Sequence, residues 1–198
     1  MESVSATNPS PGDALTPRTR ERLAGAGAIA AGASWFAWAL INSTTGGALE
    51  LSPPGSAAAR LALALTLGWT LLLIPAVLRT HAALRPTAPR TLPVFTAAGV
   101  ISPVLWAAGA GVGFVPHLEI AYNVLAAVWL LGTGATLCSR RRSLGILALV
   151  VGGFTALDAV FGLFEPMPFA LYLLAAPKLP LAAIWSVTLG MALVRQRA

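Results

Sequence analysis

Residues 169–194 read FALYLLAAPKLPLAAIWSVTLGMALV, a run that is apolar or weakly polar throughout except for one charged side chain, Lys178. Its length decides the fold class, because about 20 consecutive apolar residues are enough to cross a bilayer as a helix. Five more segments of similar length precede it, at Leu23–Ile41, Ala59–Leu78, Leu92–Phe114, Leu118–Cys138 and Leu144–Phe164. Turn-forming links separate them: Gly46-Gly47 and Pro53-Pro54, a basic stretch with Pro86 and Pro89, Val115-Pro116-His117, Arg140–Arg142, and Glu165-Pro166-Met167-Pro168. The reading is all-α, a polytopic membrane helix bundle with six transmembrane helices.

Composition agrees. The 198 residues are 57% hydrophobic and 10% charged, whereas a soluble domain carries about 25% charged residues. A surface this apolar needs lipid as its solvent. Residues 1–20, rich in Ser, Thr and Pro, read as a disordered cytoplasmic tail ahead of a transmembrane domain at 21–198. The net charge of +6 does not point to nucleic acid. The arginines are spread over short loops, and no aromatic residues interleave with them to stack bases.

Those arginines orient the chain instead. Arg18, Arg20 and Arg22, then Arg79, Arg85 and Arg90, then Arg140, Arg141 and Arg142, and finally Arg195 and Arg197 fall on one side of six alternating spans. Only Arg60 falls on the other, whose three links carry Glu50, Glu119 and Glu165. The positive-inside rule puts both termini in the cytoplasm. The Ala- and Arg-rich, lysine-poor composition fits a bacterial-type inner membrane.

Two charges lie deep inside spans, Lys178 and Asp158, whereas Arg60 and Glu119 sit at segment ends. Unpaired, each costs about 3 kcal/mol or more at mid-bilayer. Taking the turn at Pro166 as the apex of a continuous helical hairpin, Asp158 lies about 12 Å and Lys178 about 18 Å below it. The lysine stem can climb the difference of roughly 6 Å, so an ion pair is within reach. Pro177 and Pro180 flank the lysine and predict a kink or break there, since proline removes a backbone donor. Broken helices with a charge at the break are typical of transporter sites.

The six tryptophans all fall within spans, several away from the interfaces where tryptophan concentrates. Buried indoles need partners for their N–H groups. Trp129, Tyr122, Asn123 and Tyr172 are therefore candidates to line a polar cavity around the charges, with packing filler as the plainer role. Ala28 with Gly32, and Gly109 with Gly113, have the small-xxx-small spacing of close helix approach. Two antiparallel halves of three spans allow an inverted repeat, for which Pro103 with Trp106 and Pro180 with Trp185 are a faint echo.

The lone Cys138 forms no internal disulfide, and His81 and His117 fall in separate loops without metal-ligand spacing. No metal, cofactor, nucleotide-loop or hydrolase motif is present. Three function classes remain. The first is binding or passage of a small solute or proton at Asp158 and Lys178. The second is a non-catalytic scaffold or regulatory subunit held by a structural pair. The third is an intramembrane enzyme acting on lipid. The expected partners are the bilayer and a solute or proton, with a homo- or hetero-oligomer left open.

Overall fold

In the computed structural model the chain is described at residues 16–45, 53, 55–87, 90–112, 116–164, 174 and 176–195. Among those residues the α-helices with defined bounds are α1 (Pro17–Thr44), α2 (Ala57–Leu84), α3 (Leu92–Val112), α4 (Pro116–Cys138), α5 (Arg142–Phe161) and α6 (Lys178–Val194), with a 3-10 turn at Arg85–Thr87. Five of them, all but α6, are long and apolar enough to cross a membrane. The bundle is compatible with an integral, multi-pass membrane protein.

Local chemistry sets the ends. Pro17 occupies the first turn of α1, and the Thr16 hydroxyl accepts from the Thr19 N–H at 3.3 Å. The helix therefore starts inside the polar stretch read as tail, taking in residues 17–20. Gly55, at φ 81°, makes the left-handed turn into α2. Ser56 then caps that helix by accepting from the Ala59 N–H at 3.1 Å. α2 continues past Leu78 to Leu84, beyond the apolar segment.

The six helices close into a ring in which each packs on its chain neighbours and α6 returns to α1. The α1–α2, α4–α5, α3–α4 and α6–α1 seams are broad. The α2–α3 seam is narrower, and α5–α6 is the thinnest of the six.

Leu71, Val94, Ile101, Ile146, Leu157 and Ile184 stay exposed on the outside. Apolar side chains on an outer surface suggest contact with lipid. Inside, the buried hydroxyls of Thr70, Thr80, Thr133 and Thr155 donate to carbonyls four residues back in their own helices. They need no partner across the bundle.

The α1–α6 seam is built from absent side chains. A Cβ on Gly25 would lie 2.7 Å from the Gly190 carbonyl oxygen, and one on Gly32 would lie 2.9 Å from that of Ala183. Beside them the buried Ser186 hydroxyl donates to the Ala28 carbonyl at 2.8 Å. The small residues Ala28 and Gly32 thus serve packing within the protein. Gly113 lies outside the described residues.

Candidate functional site

α4, α5 and α6 each bring one polar side chain to a common level. Asp158 is sixteen residues from the start of α5, and Lys178 is sixteen from the end of α6. Asn123 is fifteen from the end of α4. At 1.5 Å per residue all three lie about 22–24 Å from the arginine-bearing helix ends. The 6 Å offset expected from a continuous hairpin is absent. The final helix begins at Lys178, with Pro177 as its N-cap, and the sixteen residues from there to Val194 match the sixteen from Arg142 to Asp158.

The three side chains bond to one another. Lys178 Nζ forms an ion pair with Asp158 Oδ2. It also donates to Asn123 Oδ1 at 3.3 Å, while Asn123 Nδ2 donates to Asp158 Oδ2 at 3.0 Å. Asn123 is only 2% exposed, so its amide is fixed by bonding both charges at once. The lysine and aspartate side chains are each 14% exposed, which leaves the pair nearly but not fully enclosed. Lys178 has three N–H donors and spends two here. Asp158 Oδ1 and the third N–H have no hydrogen-bond partner among the described residues. Among the described residues each member of this neutralised, nearly enclosed pair thus keeps one unused hydrogen-bonding position.

The prolines do what their positions predict. Pro180 offers no N–H in the first turn of α6. The Leu179 N–H goes to the Ala176 carbonyl at 3.1 Å and the Leu181 N–H to that of Pro177 at 3.3 Å. Across the bundle, the Trp35 indole N–H donates to the Leu179 carbonyl at 3.0 Å, tying α1 to the residue after the lysine. Nothing in the sequence pointed to that bond, because helix register is invisible from composition.

An aromatic cluster stands beside the triad. Trp35 stacks on Trp38 with centroids 5.2 Å apart, and also meets Trp69 at 5.1 Å and Trp106 at 6.3 Å. Trp106 packs on Tyr122 at 4.8 Å, and Tyr122 adjoins Asn123 in α4. Tyr122 is thus part of this wall, with no hydrogen bond to the pair. Trp129 is further away, six residues or about 9 Å along α4 toward the arginine end. There it meets Trp185 edge-on at 5.1 Å. Both indole N–H groups of that couple are buried without a partner among the described residues. Tyr172 lies outside the described residues.

Among the described residues no group of three or more His, Cys, Asp or Glu could hold a metal. His81 Nδ1 meets Thr96 Oγ1 at 2.6 Å, but the threonine hydroxyl donates to the Leu92 carbonyl at 3.0 Å. The imidazole therefore serves as donor, not as a base activating that hydroxyl.

Comparison with known proteins finds no matching protein-family model, no matching curated protein and no matching solved structure.

Proposed function

We propose that this is a multi-pass protein of a cell inner membrane that binds, and passes across the bilayer, a proton or a small polar solute at Asn123, Asp158 and Lys178. Both termini face the cytoplasm on this reading, which rests on the eleven-to-one partition of the arginines. The observation that carries it is the half-satisfied pair: one carboxylate oxygen and one ammonium N–H stay unpartnered among the described residues, at 14% exposure. A proton on Asp158 would release Lys178. A solute offering one donor and one acceptor would bridge the two free positions. Either event converts a neutral pair into a charged or ligated one inside a low-dielectric bundle, and intramembrane charges are typically retained for such use.

The test is flux in proteoliposomes loaded with a pH-sensitive dye. An imposed pH gradient is followed first alone and then with outwardly directed gradients of small carboxylic acids, amides and amines. At least one condition should give flux above protein-free vesicles, and that flux should vanish in Lys178→Met and Asp158→Asn. Rates equal to protein-free vesicles in every condition, or unchanged in both variants, would overturn the reading.

One observation favours a second reading, a structural clamp in a scaffold or regulatory subunit. The ion pair joins α5 to α6, the thinnest seam of the ring. Under that reading Asp158→Asn combined with Lys178→Met is tolerated better than either change alone.

A further inference from the structure

At the arginine-bearing end the helices do not meet flush. A cavity of about 360 Å³ opens between the ends of α1, α2, α4, α5 and α6. Arg140 and Arg141 line its polar side together with Glu21, and Leu137, Leu144 and Leu193 line its apolar side. Each guanidinium reaches the carbonyl end of a helix. Arg140 Nη1 donates to the Ala83 carbonyl at 2.7 Å in the last turn of α2, and Arg141 Nη1 to the Ala192 carbonyl at 3.4 Å in the last turn of α6. Cations are favoured at such carbonyl ends.

Those bonds use one donor of the five that each guanidinium carries. Neither arginine forms an ion pair with a carboxylate among the described residues. The lining therefore holds two cations against one anion, with a planar fork of free donors on each cation. Such forks match the paired oxygens of a phosphate. The leucines opposite would be wetted by a fully hydrated ion but suit methylene groups. Basic pockets between transmembrane helices are recurrent seats for phosphorylated headgroups. The pocket's size lies within the range of about 300–1,000 Å³ of ligand sites.

We infer that this cavity binds a phosphate group, carried by an anionic lipid or free in solution, through Arg140 and Arg141. The site lies at the opposite end from the Asn123–Asp158–Lys178 triad and does not depend on the activity proposed there.

The experiment uses the full chain in phosphatidylcholine nanodiscs. Thermal unfolding is followed on adding phosphatidylglycerol to the lipid, or sodium phosphate to the buffer against sodium chloride of equal ionic strength. One or both should raise the transition temperature. Half-saturation should rise about tenfold or more in R140Q or R141Q, as expected for losing a charge-assisted hydrogen bond, and stay unchanged in R195Q, which removes an exposed arginine outside the cavity lining. R140K with R141K keeps the charge and a capping donor, so it tests the fork should the glutamine variants fold poorly; intermediate binding is expected. A response to phosphatidylglycerol alone assigns the phosphate to lipid, and a response to phosphate alone assigns it to solution. No response to either in the wild type would overturn the inference. So would a response that survives R140Q with R141Q, or one lost equally in R195Q.

Discussion

Helix α6 is held on its two sides by opposite means. Against α1 it presents Gly190, Ser186 and Ala183, and backbone lies on backbone with no room for a methyl group. Against α5 the contact is thin, and Lys178 reaches Asp158 across it. The first seam is shape, which no solute or proton alters. The second is charge, which a single proton can undo. A helix fixed on one side and electrostatically latched on the other has a built-in place where chemistry can change packing.

That contrast can be broken most severely at the glycine seam. Gly190→Leu drives a side chain into Ile29, whose backbone nitrogen would lie 2.9 Å from the first added carbon. Overpacking of this kind costs about 3 kcal/mol or more where backbone must move. Dispersed protein should be lost in fluorescence-detected size exclusion, and a normal transition temperature would show the seam to be compliant. Next in size, Lys178→Met leaves Asp158 with Asn123 alone and should cost about 3 kcal/mol, as removing one partner of a buried pair does.

The double change removes both charges of the second seam at once. Asp158→Asn with Lys178→Met leaves no charge to desolvate, so stability should recover to within about 1 kcal/mol of the original chain. Steric trapping or thermal unfolding of the four proteins of the cycle gives the coupling, and a double variant worse than both singles would contradict the pair. Smallest, Ser186→Ala removes one interhelical hydrogen bond and should cost about 0.6 kcal/mol by the same measurement. A loss several times larger would mean that the glycine seam depends on polar bonding rather than on fit.

Much of the architecture was legible because a chain this apolar has few alternatives to helices. Segment length gave six helices, of which five are long and apolar enough to cross a membrane, while the last begins at Lys178 and is shorter than the segment expected from Phe169. The start of α1 was misplaced because residues 17–20 are polar, although Thr16 and Pro17 carry a recognisable capping signal. The break before Lys178 could be read from Pro177 and Pro180. Asn123 could be nominated for a cavity, but its place between the two charges could not. A difference of one residue turns a helical side chain by about 100°, and no charge pattern in α4 reports its rotation. The partner of Ala28 and Gly32 was hidden for the same reason. Arg140 and Arg141 were read only as orientation signals, because a sequence shows the sign of a charge and not the hollow beside it.

The glycine seam also constrains biogenesis. Gly25 and Gly190 are far apart in the chain, so the notched face of α1 stays unmatched until α6 has been synthesised. Contacts of such high sequence separation form late. Premature stops ahead of α6 should therefore yield chains that cannot mature, with that groove still open.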